Sequence, residues 1–245
     1  MSEPVVIAIC FFLIALLYSA VGHGGASAYL ATMALLEFSP DEMKPAALAL
    51  NVLVATITSI RFYRAGYFSW RLFWPFAAAS IPLAYIGGGL TVSDDWYRLL
   101  VGAALIFAAI HLLARYRASR EDIPGVRTPG LPASMTAGGI IGLTSGLTGV
   151  GGGIFLSPVL LMRRWAGLRQ TSAAAAVFIL VNSMAGLAGH LQNGGSFPSD
   201  MPVWALAVIA GGLLGSWLGA TRFNNQALRL LLGIVLVLAG LRMVA

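Results

Sequence analysis

Two uncharged runs, residues 4–36 and 131–162, constrain this chain more than any other feature of it. Drawn as one straight helix at 1.5 Å per residue, each would be about 50 Å long, well beyond the roughly 30 Å of hydrocarbon that a membrane helix crosses. Near the middle of each run stands a glycine cluster, AVGHGGAS at 20–27 and TGVGGGIF at 148–155. Glycine inside a helix costs about 1 kcal/mol relative to alanine. The placement therefore predicts a break in both runs.

The rest of the chain is of the same kind. Only 10% of residues are charged and 58% are hydrophobic, whereas a soluble domain has about a quarter charged. Windows of membrane-spanning length recur near 45–63, 72–92, 96–114, 171–190, 201–221 and 226–244, which predicts an all-α, polytopic integral membrane protein in a lipid bilayer. One polar stretch, 116–130, reads as a linker between a first membrane repeat (1–115) and a second (131–245), so any function must reside in the membrane part. The formal charge of +6 is scattered over short loops. Topology explains that basic excess without a nucleic acid partner. The N-terminal apolar stretch has Glu3 and no Lys or Arg before it, the wrong charge for a signal peptide, and is read as part of the mature fold. A single cysteine, Cys10, excludes an intramolecular disulfide, and the sequence carries no metal or cofactor motif.

The two halves align. At a shift of 127, Gly22, Gly24 and Gly25 fall on Gly149, Gly151 and Gly152; at a shift of 131, Asn51 falls on Asn182, Gly88 on Gly219, Arg98 on Arg229 and Gly102 on Gly233. Internal repeats of this kind are frequent in secondary transporters, whose substrate site lies between the repeats near the midplane.

Charge decides how the broken runs cross. If each run is one spanning helix, one side receives Arg61, Arg64, Arg71, Arg115, Arg117, Arg120, Arg127 and Arg242, eight basic residues, and the other receives seven. If each run is instead a hairpin that re-enters its own face, twelve of fifteen basic residues share one side, and only Lys44, Arg98 and Arg242 lie on the other. The positive-inside rule favours the second arrangement. It predicts six spanning helices, two halves of inverted topology and both termini outside.

A chain turning inside the membrane leaves backbone groups unpaired, which is tolerable only in protein or at a wet cavity. The helix after such a turn points its N–H groups and positive dipole end at the centre, so two facing turns make an anion site. The candidate binding residues are Gly22, His23, Gly24, Gly25 and Ser27 in the first turn and Gly149, Gly151, Gly152 and Gly153 in the second. The repeat-related Asn51 and Asn182 either line this cavity or bond a neighbouring helix. Along α-helical spacing, Asn182, Gly186, Gly189 and His190 make a face suited to a hairpin tip. His23 can bond the anion, carry a coupling proton, or bond carbonyls freed by the turn. Tyr67, Trp70, Trp74, Trp96 and Tyr97 read as interfacial anchors.

The stretches GHGGASAYLATMALL, GVGGGIFLSPVLLMRRWAGLRQTSAAAAVF and GGLLGSWLGATRFNNQALRLLLGIVLVLAGL resemble the TauE/SafE family of sulfite exporters over nearly the whole chain. The resemblance implies a bacterial inner-membrane exporter of small sulfur-containing anions such as sulfite or sulfoacetate. Alternating access between inverted repeats is the expected mechanism, and a homodimer the expected assembly. The alternatives are an anion channel, which glycine turns also permit, and an intramembrane enzyme. For the latter, Ser145, Ser157, His23 and His190 show no diagnostic spacing.

Overall fold

The two long uncharged runs break where the glycines stand. A computed structural model describes residues 3–20, 24–117, 129–194, 196–218 and 225–244. The first run becomes α1 (Glu3–Ala20) and α2 (Ala26–Leu35), the second α6 (Leu131–Thr148) and α7 (Gly153–Met162). Between them lie α3 (Pro40–Arg64), α4 (Trp70–Gly89) and α5 (Asp94–Arg117); α8 (Leu168–Gln192), α9 (Met201–Leu218) and α10 (Asn225–Val244) complete the chain. All regular elements among the described residues are helices. Gly22, His23 and most of the 116–130 linker lie outside the described residues.

Each half runs through the same order: an 18-residue helix, a 10-residue helix, a 25-residue helix, then two more. By length and composition, Pro40–Arg64, Trp70–Gly89 and Arg169–Gln192 are long and apolar enough to cross a membrane, among the described residues. The remaining predicted windows coincide with α5, α9 and α10.

Without a hydrophobic drive between helices in lipid, small residues and close backbone approach hold a bundle together. Along α6, Gly138, Gly142 and Gly146 lie against the carbonyls of Phe76, Ser80 and Ala84, so α6 and α4 run parallel in close contact. Along α9, Gly211 and Gly215 lie in the same way against Phe12 and Leu16 of α1. A Cβ on Gly142 would stand 2.6 Å from Ser80 Cα. Gly142→Ala is therefore expected to cost about 1–3 kcal/mol by overpacking and to lower the thermal midpoint of the detergent-purified protein by several degrees. Gly167→Ala, at a position with nothing within 4 Å of the added carbon, is expected to leave it unchanged.

Two apolar cores flank the middle of the bundle. In one, Phe11 meets Tyr29 edge-on at 5.0 Å and Trp204 at 5.4 Å, and Phe38 meets Trp204 at 5.7 Å. In the other, Phe76 lies 6.0 Å from Trp165, next to Leu156 and Phe178. Polar contacts then tie helix ends together in two groups. At one end Arg242 of α10 donates to Leu35 O at 2.9 Å and pairs with Glu37, and Lys44 reaches the end of α4. At the other, Arg169 at the start of α8 donates to the Tyr67 hydroxyl at 2.7 Å and sits over its ring.

The aromatic belt is partly as predicted: Trp70, Trp74 and Trp96 are exposed. Tyr97 is not an anchor. It is 3% exposed and donates to Thr148 O at 3.2 Å, because the last carbonyls of α6 need donors from outside the helix.

Candidate functional site

The second glycine turn is built on left-handed backbone. Gly149, Gly151 and Gly152 have φ of +82°, +82° and +77°, a region that costs an L-residue roughly 1–2 kcal/mol. Gly149 ends α6 in the manner of an αL cap, donating its N–H to Ser145 O at 2.9 Å. Gly152 O then accepts from Phe155 and Leu156, which starts α7. The first turn uses glycine differently. Gly25, at φ −94°, is the N-cap of α2. What Gly24 and Gly25 supply is space: added carbons would lie 2.6 Å from Asn51 Oδ1 and 2.6 Å from the Tyr29 ring.

Both turns meet at Asn51, which is fully buried on α3. Its Oδ1 accepts from Ala26 N–H, at the start of α2, at 3.0 Å. Its Nδ2 donates to Val150 O, inside the second turn, at 3.3 Å and faces Ser183 Oγ at 3.4 Å. One amide thus joins the first turn, 25 residues before it, to the second, 99 residues after it. Ile179 lies under both: carbons added at Gly24 and Gly151 would come within 3.0 and 3.1 Å of its Cγ2. Ser27, buried in the first turn of α2, bonds the Tyr18 hydroxyl at 3.2 Å.

Of the predicted binding residues, the structure brings together Gly24, Gly151 and Asn51, with Gly153 against the same Ile179; in the same two turns, Gly25 meets Tyr29, Ser27 meets Tyr18, Gly149 packs on Lys44 and Gly152 on Phe178. Gly22 and His23 lie outside the described residues. Asn182 lies elsewhere, donating to Phe178 O and accepting from Ser80 Oγ, both at 2.8 Å. Gly186 and Gly189, on the same face of α8, receive α4 at Gly88 and Tyr85. That face is therefore a helix-packing surface against α4. Ser183 and Ile179 were not singled out in the sequence; a hydroxyl next to Asn182 was the available signal for the first, and nothing marks the second.

Chemically, the centre offers two helix N-termini of 10-residue helices from opposite halves of the chain, one amide and several hydroxyls. Such N-termini carry roughly half a positive charge each and favour an oxyanion. No cluster of three or more His, Cys, Asp or Glu able to hold a metal ion occurs among the described residues.

The sequence pattern of the family described as sulfite exporter TauE/SafE matches residues 7–243. The chain belongs to the TauE/SafE family. Among curated relatives, it is 40% identical to a probable membrane transporter protein of Sinorhizobium fredii over 243 residues, 99% of this chain and 98% of that protein. It is 33% identical to a probable membrane transporter protein of Xylella fastidiosa over 116 residues, 46% of this chain and 43% of that one. No solved structure matches. Membership of TauE/SafE makes the chain a membrane transporter, and the apolar helices are those of an integral membrane protein.

Proposed function

We propose that this TauE/SafE chain is an exporter of small sulfur-containing oxyanions, sulfite or an organosulfonate such as sulfoacetate, with the anion bound between the two glycine turns. The observation that carries this reading is the convergence on Asn51 of the start of α2 and of the glycine turn that leads into α7. Half-helices pointing N-termini at a midplane site are a recurring anion-binding device in secondary transporters. An arriving oxyanion replaces Asn51 Oδ1 on the Ala26 N–H and takes a hydrogen bond from Asn51 Nδ2, so that Asn51 both closes the empty site and helps to fill it.

Inverted hairpins are supported by which ends meet. The single-span alternative puts Arg242 on the side of Arg61 and Arg169 on the side of Lys44, whereas Arg242 bonds Leu35 and Glu37, and Arg169 bonds Tyr67. The α4–α6 and α1–α9 contacts support the repeat: at the shifts found in the sequence, the Ala84–Gly146 approach corresponds to that of Gly215 and Ser19. In this reading both termini face the periplasm of a bacterial inner membrane. One half rocks against the other, with Asn51 as the contact made and broken. Export of an anion is driven by the inside-negative potential, worth about 2.3 kcal/mol per charge per 100 mV, and His23 is the candidate carrier of any coupled proton.

Flux of radiolabelled sulfite and sulfoacetate in proteoliposomes tests the function. Saturable uptake accelerated by unlabelled anion on the opposite side is expected. Non-saturable flux with single-channel currents would make the protein a channel, and no flux of either anion from folded protein would remove the substrate class.

A further inference from the structure

Lys44 stands on α3 seven residues before Asn51 and is 6% exposed. Its Nζ donates to Gly87 O at 3.2 Å and Leu90 O at 3.1 Å, at the end of α4. Its backbone carries the second glycine turn: a carbon added at Gly149 would lie 3.2 Å from Lys44 O and 3.4 Å from its Cα. The ion pair formed among the described residues is Arg242 with Glu37, so no described carboxylate lies within ion-pair distance of Lys44. Asp41, one turn earlier, and His190 on α8 are the other titratable groups whose charges reach it.

A buried ammonium without an opposite charge is costly, and inside a membrane-spanning bundle such residues mark substrate pathways. Capping the last carbonyls of α4 does not require that charge. Asn193, a neutral donor, does the same for Gly89 O at 2.6 Å. The groups gathered at the glycine turns, Asn51, Ser27, Ser183 and Tyr18, are uncharged side chains. Lys44 brings a formal positive charge to their neighbourhood: its backbone packs against Gly149 of the second turn, and its ammonium sits at the end of α4. Its ammonium has three donors and uses two on carbonyls; exchange of a carbonyl for an oxyanion gives a shorter, charge-assisted bond.

We propose that Lys44 is an anion-binding residue, the charged half of a second subsite between α3, the end of α4 and Gly149, on the outer side of the glycine turns. It takes the same small sulfur oxyanion, and so rests on the carrier reading above. An outer pocket of about 350 Å³, lined by Arg98, by the ion-paired Arg242 and Glu37, and by Lys44's neighbour Met43, opens at the same end of α3 and gives the anion an approach with Arg98 as its charge outside any ion pair among the described residues.

The test compares Lys44→Gln, which keeps N–H donors for the α4 carbonyls, with Lys44→Arg, which keeps the charge, in sulfite flux and thermal unfolding. Lys44→Gln is expected to raise the half-saturation concentration about tenfold or more, the loss of one charge-assisted bond, with Lys44→Arg near the native value and both folded. In a Cys10→Ser background, Lys44→Cys is expected to recover affinity on modification with an aminoethyl thiol reagent and not with a methyl one. This second comparison decides the matter if the glutamine variant does not fold. Unchanged half-saturation in Lys44→Gln, or equal effects of the two thiol reagents, would overturn the subsite and leave the carrier intact. Absence of sulfite and sulfoacetate flux in the native protein would overturn both.

Discussion

Gly151→Leu is expected to abolish sulfite flux while the protein still inserts into the membrane. Gly151 has φ +82°, where a leucine costs roughly 1–2 kcal/mol. The larger effect is steric. The added Cβ collides with Asn51 Nδ2 and stands 3.0 Å from Ser183 Oγ and 3.1 Å from Ile179 Cγ2, so it wedges the two turns apart at the proposed anion site. Gly66→Leu separates the two causes: it has φ +72° but nothing within 4 Å of the added carbon, and is expected to retain flux. Equal loss in both variants would assign the effect to backbone strain. Native flux in Gly151→Leu would remove the turns from the path.

Asn51→Asp is expected to be as damaging, for an electrostatic reason. The substitution is isosteric and keeps the acceptor for the Ala26 N–H, but it removes the donor to Val150 O and Ser183. It also fixes a negative charge beside the proposed anion site. Two like charges 4 Å apart at an effective dielectric of 20 repel by about 4 kcal/mol, roughly a thousandfold in affinity. Asn182→Asp provides the contrast, because the Asn182 side chain bonds Ser80 of α4 and the Phe178 carbonyl of its own helix instead of the backbone of a turn. Its expected cost is in thermal stability, with the half-saturation concentration for sulfite near native. Both quantities are read from the same proteoliposome and unfolding assays.

The contrast between these asparagines shows where the sequence was legible. The breaks and the helix order follow from apolar run length and glycine placement, which are local properties. The partners of a buried amide are not local. At the repeat shift, Ser80, which bonds Asn182, corresponds to Gly211, which has no hydroxyl and instead packs on Phe12. Asn51 lacks the partner that occupies Asn182 and bonds the turns. The repeat made the two residues equal in the alignment, and one substitution on a third helix made them unequal in space.

Tyr97 was misjudged for a related reason, and Lys44 shows the same effect. Each lies near a span end, where aromatic and basic residues ordinarily meet the interface. Here α6 ends inside the protein and Gly87 in the last turn of α4 is buried, and the carbonyls there draw Tyr97 and Lys44 inward.

Single cysteines at Ser27 and Ser183, in a Cys10→Ser background, test most directly whether the anion passes between the turns. Both positions are buried beside the meeting point of the turns, and serine to cysteine preserves their size. Each would be labelled with a membrane-impermeant thiol reagent from either side of oriented vesicles, with and without sulfite. Labelling from both sides, suppressed by sulfite, is the result expected of a carrier that alternates around this site. Labelling from one side only, or labelling indifferent to sulfite in vesicles that transport it, would contradict a path between the glycine turns.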